Sequence, residues 1–571
     1  METSKPQQDR SDLVKDCRRR LAYLKQQRTT WDAHWKEVRD HIFPWAGSWL
    51  DSDQKNDGAK KNDPIVSTGR EALGTLAAGM QGGLTPRNER WFGLRLGHGE
   101  GEEQQSTKAW LDLCTSLILD ILAQSNFYHV SSQMYEDLGL FGTACLYMEP
   151  YYKTVMTFRH VSVGEFWLDQ DWHGQVDTVF REFVESAANL VAEFGEENVS
   201  QRVRDMATKP ETRGEGVTVV HAVFPRKDAR EGSRDPRLKK FASVYYEADG
   251  SDQDKPLRVS GYDALPYMVV RWSVQGGNVY GHSPAMYALA DVKQAKDMLI
   301  DVADMVGKIA RPPLQGPDTL ADVNISIDPG SVVLYPSTGG SAGLSPILGY
   351  QADAMKVYQV VQEVQNNIRN AFHYQTFMLF TGDESKSMTA TEILERKQVR
   401  LMQLGPVLER LQTELLAPII DSTFDRCFEV GILPDVPDTV PQESPIDIRY
   451  TSALARAADL ARVTNISQFL STILPMAQLP GVLDNVDFDA TVRALADHLD
   501  VPPTLLRKQA DVEAMRRQQA EAQAQAEQAM AMQQAAQTAD SAAAAAQKMG
   551  SVNMDENSAY NQLMSALGGT A

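Results

Sequence analysis

Between His282 and Phe372 the apolar residues fall into two helical runs separated by a compact insert. Ser283-Pro284 opens the first run with a capping residue and a proline suited to the first turn. Small and apolar side chains then recur at Ala285, Ala288, Val292, Ala295, Leu299, Val302, Val306 and Ile309. This 3-4 alternation predicts one helix with a single narrow seam, roughly 40 Å long at 1.5 Å per residue. Pro312-Pro313 ends it, because neither ring can donate a helical hydrogen bond. The second run repeats the pattern at Ala354, Val357, Val361, Val364, Ile368 and Ala371. One seam cannot make a globular core, so the two helices are expected to pack on each other and on copies of themselves. In the insert, Leu314 to Gln351, Val323-Asn324-Ile325-Ser326-Ile327 alternates with period two. Asp328-Pro329-Gly330 reads as a turn and Ser331 to Tyr335 as a second strand. The pattern predicts a small strand-rich head on a two-helix stalk. It fits equally well a helical hairpin inside one large enzyme.

Elsewhere the period switches between helix and strand, which makes the fold class α+β, mainly helical. Residues 13–43 predict an amphipathic helix, with Trp31, His34 and Trp35 in one turn as core. Residues 51–64 read as a polar loop. A small-residue helix from Gly69 to Gly79 is expected to end at Gly82-Gly83, before an apolar run from Trp91 to Leu96. Gly74, Gly79 and Gly82 lack the Lys-Ser/Thr of a phosphate loop, so close backbone packing is expected there. One helix is predicted over 107–140, then strands at 145–149, 155–161, 165–169 and 176–184. A helix over 187–205 and strands at 217–226, 241–247 and 267–272 follow. After Phe372, the apolar Phe377-Met378-Leu379-Phe380 precedes a polar stretch. Thr389-Ala390-Thr391-Glu392 is a capping box that starts a helix to about Phe428, with kinks at Gly405-Pro406 and Ala417-Pro418. A proline-rich linker over 432–445 leads to a strand at Ile446 to Tyr450. Residues 451–530 return to helix, the Ala/Gln-rich stretch Gln518 to Gln547 continues it, and Met549 to Ala571 is expected to be disordered.

The 571 residues suffice for several cores. The net charge of -20 argues against tight capture of DNA, yet fits a smooth acidic passage in which DNA slides. Cys17, Cys114, Cys145 and Cys427 are not spaced as a zinc pair and read as reduced, buried thiols. Met1 to Asp12 has no apolar signal core, and no stretch approaches the roughly 18 apolar residues of a membrane span. An intracellular, soluble product with no direct membrane contact is expected. Gly281-His282-Ser283 lacks the closing glycine of a nucleophile elbow, and Ser283 is read as a helix cap. His34 and His41 would need a third ligand to hold a metal, and Asp301 and Asp304 read as solvated. The sequence therefore predicts no catalytic residue, no cofactor and no metal site.

The run Gly74 to Pro86, with Arg90-Trp91-Phe92 after it, resembles the portal (head-to-tail connector) proteins of short-tailed bacteriophages. So does Tyr280-Gly281-His282-Ser283-Pro284-Ala285, leading into the helix that ends at Arg311-Pro312-Pro313. The resemblance covers roughly residues 10–500. It implies a ring, usually of twelve subunits, at one capsid vertex of the virion, made in the host cytoplasm, through which double-stranded DNA is packaged and ejected. Residues 1–281 and 389–450 would be the wing, 282–313 and 352–372 the stem helices, and 314–351 the clip. Residues 373–388 would form a tunnel loop carrying Phe377, Met378, Leu379, Phe380 and Lys386. Residues 451–517 would be the crown and 518–571 a barrel-like or disordered tail. Lys293, Asp297, Asp304, Lys308 and Arg311 share one face of the first stem helix and are expected to line the channel, touching DNA transiently. The same charges also fit an ordinary solvated face. Val323, Ile325, Val332, Leu334 and Tyr335 belong to the clip, which would dock the terminase packaging motor and then the tail adaptors. Major capsid protein and internal core or scaffold proteins complete the implied partners. ATP hydrolysis would belong to the motor. Against this stand an intracellular enzyme with its site in 65–272, and a non-viral oligomeric helical scaffold.

Overall fold

Val14, Leu21, Leu24, Trp35, Val38 and Ile42 are buried along α1 (Lys5–Ile42), the longest helix of the larger of two compact units in the computed structural model of the chain. The structure describes residues 5–49, 66–96, 105–230, 233, 235–249, 255–310, 314–315, 345–346, 354–381, 404–438, 440, 446–451, 463, 466–473, 475, 486–498, 501, 505, 507 and 509–550. The two units are residues 1–500 and 501–571.

After α1 come α2 (Ser67–Leu84), β1 (Phe92–Leu96), α3 (Gln105–Gln124) and α4 (Phe127–Phe141). The small-residue helix thus continues through Gly82-Gly83. The single helix expected over 107–140 is two, because Ser125-Asn126 turns the chain; Asn126 is spent on the Phe158 backbone through its side-chain amide. Then follow β2 (Thr143–Tyr151), β3 (Val155–Val161), β4 (Phe166–Gln170) and β5 (Val176–Ser186). The helix expected over 187–205 is likewise two, α5 (Ala187–Phe194) and α6 (Gln201–Thr208), interrupted at Gly195, where φ is 84°. Ser186 and Ser200 cap them, accepting from the Asn189 and Val203 N–H groups. Next come β6 (Gly216–Pro225), β7 (Phe241–Glu247), β8 (Pro256–Tyr262) and β9 (Tyr267–Arg271). Strand β8 was not predicted, because Pro256 and Gly261 weaken its pattern.

Antiparallel pairing builds a three-stranded sheet, β3-β2-β9, and a five-stranded sheet, β4-β5-β6-β7-β8. The main core lies among α1, α2, α4, the three-stranded sheet and the start of α7 (Pro284–Ala310). A second core packs Val14, Cys17, Leu21 and Leu24 of α1 on the five-stranded sheet. All four cysteines are buried and free, and burial pushes the Cys114 and Cys427 thiols up to about 11 and Cys17 up to about 12.

β10 (Leu314–Gln315) and β11 (Ser345–Pro346) pair antiparallel between α7 and α8 (Ala354–Ala371), and α9 (Tyr374–Thr381) follows. The expected kink at Ala417-Pro418 is a π turn, Gln412–Leu416, leading into α10 (Ala417–Val430). Pro418 has no N–H for the carbonyl one turn earlier, and the wider turn accommodates that loss. β12 (Ile446–Tyr450) pairs antiparallel with β1, so the strand predicted at 446–450 closes a sheet with the run after Trp91. α11 (Phe488–His498) ends the described part of this unit. In the smaller unit, α12 (Gln509–Gly550) is a continuous helix that begins before the Gln518 boundary expected for the tail. Of the segment expected to be disordered, Met549 to Ala571, the first two residues end this helix, and 551–571 lie outside those described. Among the described residues no helix is long and apolar enough to cross a membrane.

Candidate assembly surface

Helix α7 begins where two backbones touch. Gly142, in the left-handed conformation at φ 74°, ends α4 and meets the backbone of Gly281, and the Trp272 N–H donates to the Gly142 carbonyl. A Cβ on Gly281 would sit 2.3 Å from that carbonyl oxygen, and one on Gly142 would sit 2.4 Å from the Gly281 oxygen. The elbow-like Gly281-His282-Ser283 thus owes its glycine to this crossing. Ser283 is the helix cap that its spacing predicts: Oγ accepts from the Met286 N–H at 3.0 Å and donates to the Leu140 carbonyl at 2.8 Å.

The α7 seam divides into two parts. Ala285, Ala288, Val292 and Ala295 are fully buried within the subunit, in the core that α1, α2 and α4 share. This part of the seam, expected to meet the partner helix and copies of itself, also meets the body of its own subunit. Beyond Leu299 the burial fades: Val302 is half-buried, Ile300 is 43% exposed and Val306 is 50% exposed. α8 packs on α7, and its Val361, Val364 and Ile368 are buried, while Tyr358 and Val360 are exposed. The pair is therefore rooted in the body at one end and carries uncovered apolar side chains toward the other.

The charges expected to line a channel are distributed unevenly. Lys293 is committed to an ion pair with Glu37 of α1, and that hydrogen bond holds the Glu37 carboxyl below its usual range. Asp297 and Asp304 are exposed, with Asp301 exposed between them. Between Asp297 and Asp304 the exposed charges of α7 are carboxylates. Lys308 lies in α7 with its side chain outside the described residues, as is Arg311 altogether.

Within the segment 373–388, Tyr374–Thr381 is helix. Phe377 is 1% exposed and packs against Gly79, where an added Cβ would stand 2.3 Å from its ring. Close packing thus explains Gly79, whereas Gly74 and Gly82 face open space. Met378 is half-buried; Leu379 and Phe380 are in α9 with side chains outside the described residues, as is all of Lys386. The predicted strands at 323–327 and 331–335, with Val323, Ile325, Val332, Leu334 and Tyr335, lie outside the described residues too.

Two features carry no motif. One is the β4–β5 turn, Asp171-Trp172-His173-Gly174, where Trp172 is 90% exposed. Its only sequence signal is an aromatic between two predicted strands. The other is an open cavity of about 420 Å³ between the two larger sheets, which no local pattern could announce because seven elements line it. Among the described residues no group of histidines, cysteines and carboxylates could hold a metal ion.

The sequence matches the family described as bacteriophage head to tail connecting protein over residues 14–506. A probable portal protein of Bordetella phage BPP-1 is 34% identical over 551 residues, 96% of this chain and 98% of that relative. The portal protein of Salmonella phage epsilon15 is 32% identical over 510 residues, 89% of this chain and 91% of that relative. Among solved structures, a chain from the virion of a native gene transfer agent particle overlaps 75% of this chain and 88% of its own length, at 11% identity and a TM-score of 0.34. A chain from the neck of an empty gene transfer agent particle overlaps 70% and 84%, at 11% identity and a TM-score of 0.31. Overlap that loose carries no weight for this chain.

Proposed function

This chain belongs to the bacteriophage head-to-tail connecting protein family, and from that membership we propose that it works as a portal protein, copies of it closing into a ring through which double-stranded DNA enters and leaves the capsid. The observation that carries this reading is the divided α7 seam. A helix pair rooted in its own subunit at one end, with Ile300, Val306, Tyr358 and Val360 uncovered toward the other, gains cover when neighbouring copies stand side by side. Closed rotational symmetry supplies that cover to every copy and leaves no unpaired end.

On this reading α7 and α8 are the stem, in a ring of twelve as in the resembling family. The sheets with α1 to α6 and the π-turn helix form the wing. Asp297, Asp301 and Asp304 would keep phosphates from binding tightly to the wall, so that DNA slides instead of sticking. Phe377 would anchor the base of the tunnel loop, with the loop proper after Thr381. Residues 314–351 would be the clip, docking the terminase motor and then the tail adaptors. Residues 451–517 would be the crown, and α12 would stand with its copies as a barrel toward internal core or scaffold proteins. The ring would sit at a capsid vertex against major capsid protein, and no step would require catalysis by this chain.

Electron microscopy and mass measurement of the purified full-length chain test the proposal. Rings with a central channel are expected. A stable monomer or dimer at concentrations where phage structural proteins assemble would overturn it.

A further inference from the structure

We propose that the Trp172 turn of each copy is a knob that seats in the inter-sheet cavity of the next copy, making the wing-to-wing contact of the ring heterologous. The inference rests on the ring reading above and adds to it the residues that meet.

The knob is presented rigidly. Asp171 Oδ1 accepts from the His173 N–H at 2.9 Å and the Gln175 N–H at 2.8 Å, and the Gly174 N–H donates to the Asp171 carbonyl at 3.0 Å. Arg271, 3% exposed, donates to the Gly174 carbonyl at 2.9 Å from beneath. An indole held out on a pinned turn loses little freedom when it docks, which is what an anchoring side chain requires. The His173 ring lies 4.0 Å from the indole and widens the knob. The carbonyls of Trp172 and His173 are not used by the turn's own hydrogen bonds.

The hole is roomy enough to admit it and offers complementary chemistry. Its floor holds His221 stacked on Tyr245 at 3.8 Å, with Tyr147 and Tyr267 beside them. Arg181 lines it, nine-tenths buried, and its Nε has no acceptor. Glu149 and Glu185 offer carboxylates to the indole N–H, and Arg159 offers a guanidinium to its face. At about 420 Å³ the cavity has room for an indole with space to spare.

One subunit cannot satisfy both features. Val176 follows the knob and Glu185 rims the hole, at opposite ends of β5. At about 3.3 Å per residue they stand roughly 30 Å apart. Knob and hole at separate places on one subunit let identical copies join head to tail and close.

The test is cysteine cross-linking in the full-length chain. Trp172→Cys is combined with Ala192→Cys, an exposed helix position on the cavity wall. The four native thiols are buried and stay silent. A short bismaleimide is expected to give a ladder of covalent multimers in the double variant and none in either single variant. Trp172→Ala is expected to raise the concentration for half-assembly by about tenfold or more, with an unchanged melting temperature. Rings that form normally without the cross-link, or without sensitivity to Trp172→Ala, would overturn the contact while leaving the ring intact. Dimers from Trp172→Cys alone would overturn its heterologous character. A wild-type chain that forms no ring would remove the ring reading and the contact together.

Discussion

Arg271 on β9 donates to both carboxylate oxygens of Glu414, 143 residues later in the π turn: its backbone N–H lies 3.0 Å from Oε2 and its Nη2 2.7 Å from Oε1. Arg410 completes the cluster at 3.0 Å. The same guanidinium reaches the Gly174 carbonyl, so one buried charge ties the kinked helix to the Trp172 turn. Glu414→Ala strands that charge and is expected to cost about 3 kcal/mol. The low end of the range applies because Gly174, Val279 and Gln170 still accept from Arg271. Urea unfolding monitored by circular dichroism measures it; a loss below about 1 kcal/mol would mean that the pair behaves as a surface pair.

The crossing of Gly142 and Gly281 sets backbone against backbone, where neither side can yield. Ala at either position is expected to destabilise by about 3 kcal/mol or more. Gly74→Ala, in α2 with nothing near its added methyl, is expected to gain about 0.5–1 kcal/mol. Thermal melting of the three variants gives the comparison, and equal shifts would refute the distinction.

Gly79 and Phe377 form a removable contact, since the obstacle is a side chain. Gly79→Ala alone is expected to cost about 1–3 kcal/mol. In a Phe377→Ala background it should cost almost nothing, because the ring it strikes is gone. A double-mutant cycle with no coupling would show that α9 does not rest on α2.

Two buried histidines give opposite pH slopes. Burial works against a charged His160, but the charge and hydrogen bond of Asp137, 2.9 Å away, prevail and raise its pKa. Its contribution to stability is complete below the ordinary value near 6.5 and fades as pH rises through the raised value. His221 is held neutral by burial and by Arg181 and Arg258, its pKa well below the ordinary value. It therefore costs stability as pH falls below about 6.5, where the unfolded ring takes up a proton. His160→Gln should flatten the alkaline arm of a plot of Tm against pH, and His221→Gln the acid arm. Unchanged arms would mean that other groups set the profile.

Val306 tests assembly apart from folding. Half-exposed in the single subunit, it should tolerate Val306→Asp with a Tm shift of no more than about 1–2 °C. Ring formation should fall sharply, because each interface would bury a carboxylate. Sedimentation velocity reads both species, and undiminished rings would place Val306 outside the interface.

What the sequence determined by itself was local or periodic. The seam from Ala285 to Val306 marked a long helix, Ser283 its cap, and Ala417-Pro418 a disruption, because each depends on residues within one or two turns. Strand positions along β2 to β7 followed from alternation. The tertiary structure decided what those elements face. Ala285 to Ala295 and Phe377 face their own subunit because α1, α2 and α4 lie there, and Lys293 is occupied because Glu37 stands opposite. The partition of one seam into a buried half and an exposed half cannot be read from a repeat that is the same in both, since burial is set by whatever the chain brings alongside. The cavity is of the same kind: strands distant in sequence line it, and no local pattern records it.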